Sequence, residues 1–449
     1  MHRTIRSYLA LLGAVALLAF ALPAQAGHKK DPHTDNLRPL GHIVEPASLL
    51  DPDVGNPNIH SDIAFWGNHA FQGSYGGFNI RSIASPNHPR HVSFTSCTGD
   101  QGDVVVWDDV LVRSWNTPAE EGATCDGEPV PVGFEGVHVF DISNLNNPDL
   151  VGAVEFSAQS NPVGCGSHTA TAVPDVKNGR LLVYSNPSNE ECPWFDVVEV
   201  PLGNPSDAAL LRQERAGRHC HDTGVILGEA RLAACAGHDG FTVWSLGGSQ
   251  GGSLENPKFL YSRHVPGIEI GHSAAFTWDG EVIIFGHEPG GGVLAECEAS
   301  DPPRDKSAFF FNADNGRLLG RWTLPRPQTA RENCSIHNYN VVPLKNGRDV
   351  LVSGNYQAGT WVTDFTDPDN PRTLGWSDPR PLPVPAGSPF CEPAGCEVGG
   401  AWSSYWYRYH IYETNITEGL NIFRFVDIPR ASVVRLDHLN PQTQEFTLP

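Results

Sequence analysis

The sequence predicts an all-β protein, more specifically a seven-bladed β-propeller whose blades are four-stranded and antiparallel. The first observation is a repeated unit in which an apolar strand, a turn and a second apolar strand follow one another. The second is a third strand that begins with glycine, as at Gly77 and Gly240. The third is an Asn-Pro turn before a fourth strand, as at Asn147-Pro148, because proline bends the chain and cannot continue a central ladder. Radial repetition of such units leaves few exposed strand edges.

Each unit has one register position at the start of its first strand, and most of these positions hold histidine. The histidines are His60, His168, His221, His272 and His337, and the two remaining positions are Gln101 and Trp402. The last unit ends after its third strand, and residues 37–44 read like a missing fourth strand. We therefore predict a single propeller over residues 27–427, closed by this N-terminal strand, with residues 428–449 as an extension packed outside.

The first 26 residues read as a secretory signal peptide. Arg3 and Arg6 precede an apolar run that ends at the small-residue site Ala24-Gln25-Ala26. No later stretch has the roughly 18 consecutive apolar residues of a membrane helix, so no integral membrane segment is expected. The prediction is a secreted protein, extracellular or held at the cell surface.

The charge balance limits the classes of partner. A net charge of −21 argues against nucleic acid, whose phosphates attract lysine and arginine. The expected partner is an extracellular ligand or protein of unknown identity.

The cysteines indicate disulfide bonds. Their number is ten, and an even number in an exported chain is typical of a disulfide framework. Two local pairs, Cys97–Cys125 and Cys391–Cys396, are predicted. The sequence leaves the pairing of the other six open.

Several segments resemble the LVIVD-repeat family of secreted and surface bacterial proteins. The glycine-led third strands with their Asn-Pro turns carry the resemblance, together with the segments that begin at Cys220 (CHD), Gly271 (GHSAAFTWDG), Glu332 (ENCSIHN) and Trp402 (WSSYWY). The resemblance covers most of residues 55–427. It implies a propeller-like fold and no assigned activity, so it leaves the catalytic residues unknown.

The histidines predict a metal centre. First strands lie nearest the axis of a propeller, so these side chains should meet at one face. Neutral imidazole commonly binds zinc, iron or copper, and the candidate ligands are His168, His221, His272 and His337, with His60 as a fifth. The side chains that could orient the imidazoles are Asp62, Asp222, His238, Asp239, His287 and Glu288.

A structural role for the histidines is the alternative. An imidazole on an inner strand can hydrogen-bond to the neighbouring blade, and the repeat would then need it at each junction. On this interpretation the protein is a binding or interaction scaffold. On the metal interpretation it is a metal-dependent enzyme of oxidoreductase type, by analogy with propeller enzymes such as the carotenoid cleavage oxygenases. Both hypotheses remain open from the sequence.

Overall fold

The computed structural model describes residues 28–44, 59–99, 101–156, 165–189, 192, 195–214, 219–383 and 395–449. The predicted signal peptide and Cys391 lie outside the described residues. The regular structure of the described part consists of β-strands and short 3-10 helices, which confirms the all-β prediction. None of the helices in these ranges is long and apolar enough to cross a membrane.

Most strands belong to four-stranded antiparallel units that follow one another along the chain. In chain order the strands are β1 (Leu37–Ile43), β2 (His60–Trp66), β3 (His69–Ser74), β4 (Gly77–Ser82), β5 (Arg90–Ser96), β6 (Val104–Trp107), β7 (Val110–Trp115), β8 (Thr124–Cys125), β9 (Glu128–Pro129), β10 (Gly136–Asp141), β11 (Asp149–Glu155), β12 (Thr169–Asp175), β13 (Arg180–Asn186), β14 (Phe195–Pro201), β15 (Ala209–Glu214), β16 (Asp222–Ile226), β17 (Leu232–Gly237), β18 (Gly240–Ser245), β19 (Lys258–His264), β20 (Gly271–Phe276), β21 (Val282–His287), β22 (Ser307–Asn312), β23 (Leu318–Thr323), β24 (Asn338–Val341), β25 (Val350–Gly354), β26 (Thr360–Asp364), β27 (Arg372–Ser377), β28 (Ala401–Tyr407), β29 (His410–Asn415), β30 (Gly419–Phe425), β31 (His438–Leu439) and β32 (Thr443–Gln444).

The units surround a common centre. The antiparallel units are β2 to β5, then β6, β7, β10 and β11, then β12 to β15, β16 to β19, and β20 to β23. Strands β24 to β27 and β28 to β30 share one sheet, because β24 and β28 pair in parallel, and β1 pairs with β30 at its edge. The first strands of successive units contact one another, and β28 contacts β2. The arrangement is therefore propeller-like.

Burial follows the distance of a strand from the centre. Almost every residue of β2 is buried, whereas most residues of the fourth strand β19 are exposed. The first strands also approach one another closely, and Gly224 shows how closely. A Cβ atom at Gly224 would lie 2.3 Å from the carbonyl oxygen of Ala274 on β20. These strands can therefore present side chains to one narrow central space.

The C-terminal tail, residues 433–448, lies across the ends of the first strands. Strand β31 pairs with β2, and β32 pairs in parallel with β16. The ring of His438 stacks on Trp66 at 4.4 Å between centroids. Asn440 Nδ2 donates to the carbonyl oxygen of Val106, and Gln444 Nε2 donates to that of Phe276. The sequence predicts an extension outside the ring, but these contacts place the tail over its centre, at the end of the first strands opposite the leading histidines.

Four disulfide bonds join described cysteines. The bond between Cys97 and Cys125 confirms one predicted pair. The other predicted pair involves Cys391 and so lies outside the described residues. The remaining bonds are Cys165–Cys192, Cys220–Cys235 and Cys297–Cys334.

Candidate metal centre

Four of the five histidines form a continuous row of rings. Each stands at or next to the first residue of its strand, on β12, β16, β20 and β24. Between ring centroids, His168 lies 4.6 Å from His221, His221 lies 4.4 Å from His272, and His272 lies 4.2 Å from His337. The last three side chains are buried. The repeat register thus places imidazoles of consecutive units in direct contact.

The fifth histidine, His60, has different surroundings. It is buried at the start of β2. Burial and the charge of Arg81 lower its pKa well below the usual value. The pKa of His221 and of His272, in contrast, is lowered by burial and by neighbouring imidazoles. We therefore separate His60 from the row.

A buried carboxylate completes the group. Glu288 directly follows β21, a second strand that returns to the face where the first strands begin. Its Oε2 lies 3.7 Å from Nε2 of His272, and its Oε1 lies 3.3 Å from Nε2 of His337. The ligand atoms of His221, His272 and Glu288 all lie within 4.8 Å of one another. The sequence predicts Glu288 as a residue that orients the imidazoles. Its oxygens lie 3.7 Å and 3.3 Å from ring nitrogens, which is close enough for the carboxylate to be a candidate ligand itself.

The hydrogen bonds of His337 determine which ring nitrogen carries the proton. Its Nδ1 lies 2.5 Å from the carbonyl oxygen of Trp402, and a carbonyl can only accept, so Nδ1 carries the hydrogen. In the neutral ring Nε2 then has a lone pair, which faces Glu288. Two electron-rich atoms in contact need a positive charge between them, which is either a proton on the ring or a metal ion.

The pKa shifts make this group attractive to a cation. Burial lowers the pKa of His221 and His272 well below the usual value, so both rings are neutral near pH 7. Burial alone would raise the pKa of Glu288, but the hydrogen bond and positive charge of a protonated His337 outweigh it and hold the pKa below its usual value. The group therefore combines the neutral rings of His221 and His272 with one ionised carboxylate. Among the described residues, the buried Nδ1 atoms of His221 and His272 have no partner within hydrogen-bonding geometry.

Tyr356 covers one side of this group. Its hydroxyl donates to Glu288 Oε1 at 2.6 Å, and its ring lies 4.3 Å from that of His337. The backbone of Tyr356 has a φ of 51°, which is uncommon for a bulky residue. Reciprocal backbone hydrogen bonds to Ala401 hold it there. Tyr356 was not among the residues predicted from the sequence, although it comes two residues after the second strand β25, close to the position that Glu288 has after β21.

The other predicted orienting residues lie elsewhere. His238 is exposed at the turn between β17 and β18, and Asp239 accepts a hydrogen bond from His264 at the surface. Nε2 of buried His287 accepts from the backbone nitrogen of Glu269, which directs that ring away from the row. Asp62 and Asp222 are buried further along the first strands.

Gly292 offers a test of the Glu288–Tyr356 contact. A Cβ atom at Gly292 would lie 2.4 Å from Glu288 Oε1 and 2.5 Å from the Tyr356 hydroxyl, and the φ of 70° adds strain for alanine. We expect Gly292→Ala to displace this pair and to weaken metal binding by about tenfold, as loss of an orienting partner does. Metal titration of the variant is the measurement. Gly291→Ala is the control, because it has a similar φ and no neighbour within 4 Å. Equal affinities of the two variants would contradict the expectation.

The fold and this cluster define a propeller-like all-β protein with a buried histidine–carboxylate group. No protein-family model matches the sequence, and no curated protein matches it significantly. Among solved structures, the chain is similar to the crystal structure of the WD40 β-propeller domain of Doa1, with 10% identity and a TM-score of 0.45. That match covers 84% of this chain and 98% of the other.

Proposed function

We propose that this chain is an exported, seven-bladed propeller of the LVIVD-repeat kind that holds a transition-metal ion at its histidine cluster. The four-stranded units, which follow one another around a common centre, support the blade count. The antiparallel pairing of β1 with β30 supports closure by the N-terminal strand within residues 27–427. The disulfide bonds are consistent with an extracytoplasmic location.

One observation carries the metal proposal. The lone pair of His337 Nε2 and the carboxylate of Glu288 face each other across 3.3 Å in a buried site, with His272 Nε2 beside them. With the hydrogen of His337 on Nδ1, either a second proton on Nε2 or a bound cation satisfies these atoms, and only the cation also uses Nε2 of His272. Buried charges in proteins are usually paired or bound to metals.

The ligand set favours a redox-active metal. His221, His272 and Glu288 constitute a set of two histidines and one carboxylate, which is typical of non-haem iron(II) oxygenases with open coordination positions. His337 and His168 lie next to this set and can add or replace a nitrogen ligand. Iron is therefore the first candidate, and zinc and copper are the alternatives. A bound iron would supply oxidoreductase chemistry, while Tyr356 and the carbonyl of Trp402 position Glu288 and His337.

The scaffold hypothesis remains the competing function. β-propellers typically serve as interaction scaffolds, and the row of histidines would then only join neighbouring units. The ring contacts alone are compatible with that role. The two hypotheses differ in whether the purified protein contains metal.

Elemental analysis of the full chain, produced without a histidine tag, tests the proposal. We expect about one equivalent of iron, zinc or copper, removable by a strong chelator and restored by one equivalent of the same metal. X-ray absorption should show nitrogen and oxygen neighbours at about 2.0–2.2 Å, the range for histidine and carboxylate ligands of zinc. A protein that contains none of these metals, and binds none when they are added, would contradict the proposal and favour the scaffold.

A further inference from the structure

A groove, the outer groove, lies where the units β20 to β23 and β24 to β27 meet the segment before β1. Its volume is about 580 Å³, within the usual range for small-ligand sites. It is lined by Thr34, by residues 325–327 just after β23, by Trp361 on β26, and by residues 373–376 on β27. Strand β27 is a fourth strand, and fourth strands lie furthest from the centre, so the outer groove is separate from the histidine cluster.

Three tryptophans form a column that ends at the outer groove. Between ring centroids, Trp322 lies 5.9 Å from Trp361, and Trp361 lies 5.7 Å from Trp376 with the planes of the last two only 24° apart. Trp322 and Trp361 are buried, whereas Trp376 is partly exposed. The two buried rings use their N–H groups within the protein, donating to Thr373 Oγ1 and to the carbonyl oxygen of Ala358. Trp376 is therefore the ring that the column presents to the groove.

Hydrogen bonds on both sides fix the backbone of Trp376. Its nitrogen donates to Thr34 Oγ1 at 3.0 Å, and its carbonyl oxygen accepts from the backbone nitrogen of Thr34 at 2.9 Å. Antiparallel pairing with Trp361 holds it from the other side. The Nε1 atom of Trp376 reaches solvent and has no hydrogen-bond partner within the described part of the chain. The groove thus contains a fixed, partly exposed indole whose N–H group is available to a ligand.

Arg326 supplies a polar group beside this ring. Its Nε and Nη2 atoms donate to the carboxylate of Asp378, and Nη2 also donates to Gln328 Oε1 at 3.0 Å. Glu332 Oε1 lies 3.6 Å from the same Nη2. The third nitrogen, Nη1, has no partner among the described residues, and 42% of the side chain is exposed. The guanidinium is therefore held along one edge and can donate to a ligand from the other.

The charges around Arg326 decide which class of ligand the outer groove fits. Asp378 and Glu332 are both buried, so two carboxylates lie against one guanidinium. An anionic ligand would gain little from a guanidinium whose charge is already compensated, and it would be repelled by the second carboxylate. A cationic ligand would meet the exposed guanidinium before the buried carboxylates. Neutral hydroxyl groups can accept from Nη1 without either cost, so the site favours an uncharged ligand.

We propose that the outer groove binds a neutral carbohydrate, with one sugar ring stacked on Trp376 and its hydroxyl groups accepting from Arg326 Nη1. A pyranose ring presents C–H groups on its faces and hydroxyls around its rim. The negative face of an indole attracts such C–H groups, and the guanidinium beside it matches the hydroxyls. A proline-rich peptide is the competing occupant, but such peptides dock in grooves with several exposed aromatic rings. Of the described residues that line this groove, only Trp376 is an exposed aromatic one.

The test is a titration of the full chain with cello-, xylo-, malto- and chitohexaose, followed by calorimetry and tryptophan fluorescence. We expect at least one of these sugars to bind at millimolar concentration or below and to change the emission. Trp376→Ala should weaken that binding by about tenfold or more, as truncation of a central tryptophan does at other binding sites. Arg326→Lys should weaken it about three- to tenfold, because lysine keeps the charge beside Asp378 but lacks the second donor nitrogen. Circular dichroism verifies that both variants fold.

Phe259→Ala is the matched control, since Phe259 is an exposed aromatic residue on β19, the fourth strand of another unit. It should leave sugar binding unchanged, and Trp376→Phe, which keeps a ring, should retain more affinity than Trp376→Ala. Failure of every sugar to bind, or equal affinity of the unaltered protein and Trp376→Ala, would overturn the proposal. Stronger binding of polygalacturonate than of the neutral sugars would overturn the assignment to an uncharged ligand. Binding of poly-L-proline in place of the sugars would overturn the proposal in favour of a peptide site.

Discussion

Replacing His272 with alanine is expected to weaken metal binding at the candidate centre strongly while leaving the fold in place. His272 lies between His221 and His337 in the row, and its Nε2 faces Glu288. Its removal takes away one candidate ligand and the ring that connects the other two. We expect metal affinity to fall by about 100-fold or more, at or beyond the upper end of what loss of an orienting partner causes. Elemental analysis after dialysis is the measurement.

A second histidine controls for the loss of a buried ring. His138 is also buried, with ring centroids 5.3 Å from Trp115 and 4.7 Å from Phe134. His138→Ala should lower the free energy of unfolding by about 1–3 kcal/mol, the usual cost of a disruptive core change, and retain the metal. If His272→Ala and His138→Ala both destabilise the protein and neither changes metal content, the histidine row is a structural clamp.

Removal of the C-terminal tail is expected to cause the largest loss of stability. The tail buries Val433, Leu436 and Leu439, and each such side chain contributes about 1.5–3 kcal/mol. It also covers Trp66 with His438 and pairs with β2 and β16. A chain that ends at Ser432 should therefore lose about 5 kcal/mol or more of its free energy of unfolding, measured by denaturant titration.

A point substitution gives a graded version of the same prediction. Leu439 is 4% exposed and lies opposite Phe65 on β2. Leu439→Ala should cost about 2–5 kcal/mol, as other buried leucines do. Leu318→Ala, at an exposed position on β23, should change the free energy of unfolding by less than about 0.5 kcal/mol. An unchanged denaturation midpoint for both the truncated chain and Leu439→Ala would show that the tail does not support the ring.

The architecture was accessible from the sequence because it repeats. A glycine-led third strand and a prolyl turn recur in nearly every unit, so a single unit such as residues 337–378 predicts the others. Strand β2 begins at His60, the register position that the repeat predicts for the start of a first strand. The Cys97–Cys125 bond was also predictable, since both cysteines lie close together in one part of the chain.

The details of the candidate site depend on distances that no repeat encodes. The register predicts which histidines share a level, but not that Glu288 would enter between His272 and His337 or that Tyr356 would cover them. Both residues come just after second strands, where loops of unequal length decide which side chain turns inward. The tail contains only two short strands and shows no repeat signature, so its position over the centre had no sequence signal.

The two ends of the chain together have a kinetic consequence. The N-terminal strand β1 pairs with β30, and the tail strands β31 and β32 pair with β2 and β16. We therefore expect opening of the ring to require the release of β1 from β30 as well as of the tail from β2 and β16. Native interactions that are not yet formed in the transition state slow unfolding and leave the folding rate nearly unchanged. For a protein exposed to proteases, a slow rate of unfolding would give protection in addition to that given by the free energy of unfolding.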